Sequence, residues 1–250
     1  MNKEERIQRM LENYNAIRLY VRTYPRSGTH LIGSILHYKY GFSPMSPTFV
    51  KPTIKGQSDP LQYFTFHYNQ QKVFSEQIPD IYVLRNPIDC IGSQYYRAVD
   101  CSGDFKEEDK LAYKNSKIPT DYKRPGFHCN TIFNEVGKYN EMLSCIRPND
   151  LVLYYEDLFE CPEKWLELLD VFLKNKYDVD RINLEMPIQE IMDITLEWYN
   201  RSGVGGGHRS LNTFSEKDQV KQKDIKEKMK PYIYKFINNT NKYVERYKLN

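Results

Sequence analysis

The sequence predicts an α/β fold: a single domain over residues 1–250, with a central, mostly parallel sheet flanked by helices. Three observations predict it. Short apolar or alternating runs at 17–21, 62–66, 81–84 and 151–155 read as strands. Between them lie segments whose apolar residues recur every three or four positions, the period of a half-buried helix. Strand alternates with helix along the chain with no internal repeat and no linker-like composition, the pattern of a parallel sheet joined by helical crossovers. A chain of 250 residues is long enough to bury such a core without disulfides.

Each element has its own local reason. Ile7, Met10, Leu11 and Tyr14 predict a helix over 3–14. Ile17, Leu19 and Val21 alternate with Arg18, Tyr20 and Arg22, which predicts the first strand. A loop at 24–28 leads into a helix over 29–40, with Leu31, Ile32, Ile35 and Leu36 on one side. Pro44, Pro47, Pro52 and Pro60 mark 41–60 as loop. Strands follow at Gln62–Phe66 and Ile81–Leu84, and Pro87 opens a helix over 87–98. Residues 100–127 read as a long polar loop, solvated or a lid. Then come a helix over 130–146, a strand Leu151–Tyr155, a helix over 162–174 opened by Pro162, and a helix over 186–199. The segment 201–207 holds four of the 12 glycines and reads as a loop. Two charged helices, 216–229 and 232–247, complete the chain.

Composition excludes several function classes. The 36 Lys+Arg against 33 Asp+Glu leave a net charge of +3, too small a surplus for a general nucleic-acid binder. No apolar run approaches the ~20 residues of a membrane span. The start, MNKEERIQRM, lacks the apolar stretch of a secretion signal, so a cytoplasmic location is expected. The five cysteines form no C-x-x-C pair and no metal-ligand cluster is evident, so free thiols and no metal are expected.

Chemistry concentrates first in the strand–loop–helix at 17–36. A glycine-containing turn that opens a helix offers backbone N–H groups and the positive end of the helix dipole to an anion. Arg26, Ser27 and Thr29 add side-chain donors. The P-loop pattern G-x-x-x-x-G-K-S/T is absent. On loop chemistry alone, an anion site and an ordinary strand-to-helix turn both remain open.

Four motifs in order carry a resemblance. Tyr24-Pro25-Arg26-Ser27-Gly28-Thr29 resembles the 5′-phosphosulfate loop of sulfotransferases, Y-P-K/R-S-G-T, whose co-substrate is 3′-phosphoadenosine 5′-phosphosulfate (PAPS). Arg85-Asn86-Pro87-Ile88-Asp89, with Ser93, resembles the 3′-phosphate motif R-N-P-x-D-x-x-x-S. Tyr154-Tyr155-Glu156-Asp157-Leu158 is similar to the strand-end Y-E-D-L, in which the Tyr reaches adenine; here that is Tyr155. Arg201-Ser202-Gly203 and Asn212-Thr213-Phe214-Ser215 resemble the glycine loop that closes the cofactor site, although the stretch between them is two residues longer and lacks its Trp. The resemblance implies a nucleotide-kinase-like sulfotransferase fold. It implies cofactor binding by Arg26, Ser27, Gly28, Thr29, His30, Arg85, Ser93, Tyr155, Thr195, Arg201, Ser202 and Gly203, with Arg209 competing with Arg201 for the 3′-phosphate. The physics is compatible, since an Arg at a strand end forks onto phosphate and a Ser two helical turns later approaches the same pocket.

The departures matter. His30 and Leu31 replace the second Thr and the adenine-stacking Trp of the first motif, leaving adenine with less aromatic contact. Arg26 replaces the usual Lys; its guanidinium stays charged and stabilises a leaving phosphate without readily donating a proton. Thr65-Phe66-His67, 18 residues before Arg85, resembles the family's K-T-H, which implies His67 as the base, with His30 as a rival. Glu135-Val136-Gly137-Lys138-Tyr139 stands where relatives have H-V-x-x-W. The function implied is transfer of a sulfuryl group from PAPS to a hydroxyl or amine of a small-molecule or carbohydrate acceptor, releasing adenosine 3′,5′-bisphosphate (PAP), with no metal. The alternatives are a non-catalytic nucleotide-binding module on the same fold and a related phosphoryl-transfer kinase.

Overall fold

The computed structural model describes residues 17–44, 61–67, 80–96, 132–201, 216–238 and 240–247. The predicted helix over 3–14, the polar loop 100–127 and the segment 202–215 lie outside the described residues.

Five strands form one sheet: β1 (Ile17–Thr23), β2 (Ser43–Pro44), β3 (Leu61–His67), β4 (Asp80–Leu84) and β5 (Leu151–Tyr154). Their spatial order is β2-β3-β1-β4-β5, and every neighbouring pair is parallel. The helices are α1 (Thr29–Tyr40), α2 (Pro87–Tyr96), α3 (Ile132–Ser144), α4 (Asp157–Glu160), α5 (Pro162–Tyr177), α6 (Ile188–Arg201), α7 (Glu216–Phe236) and α8 (Lys242–Glu245). The expected α/β architecture is therefore present.

A parallel sheet needs cover on both faces. All five residues of β4 are buried, as a strand covered on both sides requires. Alternation along the strands divides the core. Leu19, Val21, Ile81, Val83 and Leu153 pack against Leu31, Ile32, Ile35 and Leu36 of α1 and Trp165, Leu166 and Leu169 of α5. Tyr82 and Leu84 face the other way, against Cys90 and Ile91 of α2, Val136 and Tyr139 of α3, and Met229 and Ile233 of α7. Each such large side chain contributes roughly 1.5–3 kcal/mol on burial. The helices that follow β1 and β4 thus lie on opposite faces. The crevice between these two neighbouring strands is a topological switch point, open at their carboxyl ends.

The structure departs from sequence expectation in several places, among them a short helix at Asp157–Glu160 and the division of the expected helix 232–247 between the end of α7 and α8. Pro44 belongs to a two-residue strand rather than a loop, because β2 is an edge strand where a missing N–H is tolerated. Helix α5 runs on to Tyr177 and closes on Asp178 in the left-handed region (φ 54°). Its final carbonyls are met by Asp178 N–H to Lys174 O (3.0 Å) and Val179 N–H to Leu173 O (3.3 Å), and buried Val179 and Leu173 supply the apolar contact of that cap. Helix α7 passes through Pro231 instead of breaking there. Buried Met229 and Ile233 flank the proline on one face, so tertiary burial outweighs the roughly 3 kcal/mol local cost.

Candidate active site

The register brings Thr23, His67 and Val83 level at the carboxyl edge of the sheet, on β1, β3 and β4 respectively. The loops that leave these ends carry the sequence motifs. The backbone of His67 thus ends a strand beside the 24–28 loop; its side chain lies outside the described residues.

The 24–28 loop is held open by left-handed backbone at two positions, Arg26 (φ 73°) and Gly28 (φ 90°). Gly28 is the N-cap of α1, brings no capping side chain, and is followed by no acidic residue in the first turn. The first helical bond is Ile32 N–H to Gly28 O at 3.0 Å, so the N–H groups before it have no acceptor within the helix. No carboxylate of that turn competes with an incoming anion, and the helix dipole favours one. The loop hydroxyls hold the scaffold. Ser27 is fully buried and donates to Tyr24 O (2.6 Å), while Thr29 Oγ1 shares a hydrogen bond with Thr23 Oγ1 (2.7 Å).

The second motif meets the first. Arg85 Nη1 donates to Arg26 O at 2.8 Å, and Arg26 Nε reaches Ser93 Oγ at 3.4 Å. The Arg85 guanidinium lies over the Tyr155 ring, 4.6 Å from its centroid. The same ring presses on the loop, since a β-carbon on Gly28 would fall 2.6 Å from Tyr155 Cδ2. Burial pushes the Tyr155 hydroxyl up from its usual range, with Arg85 opposing. The fold therefore gathers Arg26, Ser27, Gly28, Thr29, Arg85, Ser93 and Tyr155, from the ends of β1, β4 and β5 and from helices α1 and α2, at one strand-end crevice. Its donor set of guanidinium, hydroxyl and helix N–H groups suits a phosphorylated ligand.

Other expected residues sit differently. His30 is exposed in the first turn of α1. Leu31 is 3% exposed and packs in the core, which gives the Trp-to-Leu departure a packing role. Thr195 is buried on α6 and donates its hydroxyl to Ile191 O at 2.6 Å. Arg201 ends α6, with its side chain outside the described residues; Ser202 and Gly203 lie outside them altogether. Among the described residues no cluster of His, Cys, Asp or Glu can hold a metal ion, and no helix is long and apolar enough to cross a membrane. Cys90, Cys145 and Cys161 are free thiols.

The structure adds supporting contacts that sequence reading misses. Tyr139 donates its hydroxyl to Arg85 O at 2.7 Å, and Asn86 N–H donates to Glu156 Oε1 at 2.8 Å. Buried Glu135 accepts from the Tyr24 hydroxyl and, at 2.8 Å, from Lys138 Nζ. The position of Glu156 inside the strand-end motif is a usable signal. The pairing of Tyr24 with Glu135, 111 residues apart, leaves no local trace.

A family model described as sulfotransferase domain matches residues 50–249, most of the chain. The match begins after the 24–29 loop and so is independent of that motif. Among solved structures, the chain is similar to mouse sulfotransferase SULT7A1 complexed with PAP, at 18% identity and a TM-score of 0.48, covering 95% of this chain and 92% of that one. It is also similar to a retinol dehydratase in complex with androsterone and inactive cofactor PAP, at 14% identity and a TM-score of 0.39, covering 85% of this chain and 80% of that one. No curated protein matches the chain in sequence.

Proposed function

This chain belongs to the sulfotransferase domain family, and on that premise we propose that it acts as a single domain that transfers a sulfuryl group from PAPS to a hydroxyl or amine of a small-molecule or carbohydrate acceptor. One observation carries the reading. Arg85, from the motif that resembles the 3′-phosphate site, is hydrogen-bonded to the loop that resembles the 5′-phosphosulfate site. Two motifs 59 residues apart thus serve one crevice, as a ligand phosphorylated at both ends requires.

In this reading the N–H groups at the start of α1, with Arg26, hold the 5′-phosphosulfate, and Arg85 and Ser93 hold the 3′-phosphate. Arg201, Ser202 and Gly203 add to the 3′-phosphate contacts, and Tyr155 and Thr195 serve the nucleoside. PAPS supplies the activated sulfuryl group. His67 accepts the proton of the acceptor as its oxygen or nitrogen bonds to sulfur and the bond from sulfur to the 5′-phosphate oxygen breaks. Arg26 and the helix N–H groups stabilise the charge that grows on that oxygen, and PAP is released. The reading needs no metal, because fixed donors do the charge screening.

Calorimetric binding of PAP, with ADP and Mg-ATP as controls, tests it. Micromolar or tighter binding that depends on the 3′-phosphate is expected. Preference for Mg-ATP would overturn the reading in favour of phosphoryl transfer. Selective PAP binding without turnover over a broad acceptor panel would reduce it to a binding module.

A further inference from the structure

The backbone around Arg85 is fixed from two directions. Tyr139 holds the Arg85 carbonyl at 2.7 Å, and Glu156 Oε1 takes the next N–H, that of Asn86, at 2.8 Å. Glu156 is itself held from the far end of the chain, where the Tyr247 hydroxyl donates to Oε2 at 3.1 Å. Burial, and then the Glu156 carboxylate, push the Tyr247 hydroxyl far above its usual range, so it stays protonated as the donor.

The segment that carries Tyr247 is firmly seated. Asn241 caps α8 by accepting Tyr243 N–H at 3.0 Å, and Val244 is fully buried in the second core. Arg246 forks onto Asp157 at 2.6 and 2.9 Å and lies over the Tyr154 ring at 4.1 Å. The Tyr154 and Tyr247 rings meet edge-on, with centroids 6.2 Å apart.

We propose that Tyr247 is a positioning residue for 3′-phosphate recognition: by engaging Glu156 it keeps the carboxylate away from the Arg85 guanidinium. The proposal rests on the reading that Arg85 binds the 3′-phosphate. Its physical basis is competition. Glu156 follows Tyr155, the residue on which Arg85 stacks, and a carboxylate oxygen released there would pair with the guanidinium in place of phosphate. The fold prevents this by giving one oxygen to Asn86 and the other to Tyr247.

The test measures binding of PAP and of adenosine 5′-phosphate by calorimetry. The variants are Tyr247→Phe, Arg85→Ala, their combination, and Tyr247→Phe in a Glu156→Gln background. Tyr247→Phe keeps the ring and removes the donor. It is expected to weaken PAP binding roughly three- to tenfold, the scale of one hydrogen bond, and to leave adenosine 5′-phosphate binding unchanged. It should cost nothing further once Arg85 is Ala, and nothing once Glu156 is Gln, because no competing pair remains. Equal losses on both ligands, no loss, or a full additional loss in either background would overturn the proposal. If Arg85→Ala itself leaves PAP selectivity intact, the 3′-phosphate reading falls and takes this proposal with it. Should Tyr247→Phe fail to fold alone, the Glu156→Gln background decides by comparing Tyr247→Phe with its parent.

Discussion

Arg85 donates from Nη1 to the carbonyl oxygen of Arg26 at 2.8 Å. Arg26 occupies the left-handed region at φ 73°, a conformation that costs a non-glycine residue about 1–3 kcal/mol. The bond from Arg85 holds that peptide in place and helps to offset the strain. It also joins two motifs on different strand ends. Tyr155 completes the arrangement, with Arg85 over its ring and Gly28 against its edge.

Gly28→Ala is expected to be costly for two separable reasons. The residue sits at φ 90°, and its β-carbon would lie 2.6 Å from Tyr155 Cδ2. Together these should remove about 1–3 kcal/mol of stability in urea unfolding and weaken PAP binding. Gly137→Ala is the control. It lies exposed within α3 with nothing within 4 Å of the added carbon, and should gain about 0.5–1 kcal/mol. Equal behaviour of the two variants would contradict the tight approach at Gly28.

His67→Ala should lower turnover about 10²- to 10⁴-fold, the usual worth of a general base, while PAP affinity stays at its wild-type value. Steady-state kinetics with calorimetry separates the two effects. A variant that retains turnover would move the base to another residue, with His30, exposed beside the phosphate loop, the next to replace.

Tyr24→Phe removes a hydroxyl that donates to buried Glu135, leaving that carboxylate with Lys138 as its remaining named partner. The expected loss is about 1–3 kcal/mol, the cost of leaving a buried acceptor short of a bond. Because the Tyr24 carbonyl also accepts from Ser27, weaker PAP binding should accompany the loss. A stability change below a few tenths of a kcal/mol would show that water replaces the hydroxyl at no cost.

Lys39 gives a pH prediction. It is 2% exposed, and burial, followed by the nearby Arg181 charge, lowers its ammonium from the usual 10.5, with Glu163 and Asp170 opposing. Between the folded value and 10.5 the unfolded chain therefore binds more protons, and stability should rise with pH across that window. Below the window the burial penalty is present in full. Lys39→Met lacks the titration, so the difference in unfolding free energy between wild type and variant should shift in favour of wild type as pH rises through it. A pH-independent difference would refute the burial argument.

Much of the fold was legible because its signals are local. Alternation at 17–21 predicted β1, and three- and four-residue spacing at 31–36 predicted α1. Boundaries were less legible where tertiary burial overrode local preference. Pro231 reads as a helix breaker, yet Met229 and Ile233 carry α7 through it. Leu31 reads as a poor substitute for a stacking Trp, whereas packing makes it a core residue under the loop. At the site, Arg26, Gly28, Arg85, Ser93 and Tyr155 could be named from their motifs. Their supports could not be assigned, since Tyr247 lies on a segment with no motif of its own, and Glu135 and Tyr139 stand in a stretch that departs from the relatives' H-V-x-x-W.

The sequence by itself determined the alternation of strand and helix, the glycine that opens α1, and the chemical types offered to a phosphorylated ligand. These depend on side-chain period and backbone conformation over a few residues. The tertiary structure alone decided the strand order β2-β3-β1-β4-β5, which aligns the ends of β1, β3 and β4. It alone decided that Arg85 reaches Arg26 across 59 residues and Tyr24 reaches Glu135 across 111. Such contacts form only when separate elements bury their apolar faces on a common sheet, and no local periodicity encodes which polar groups then meet at its edge.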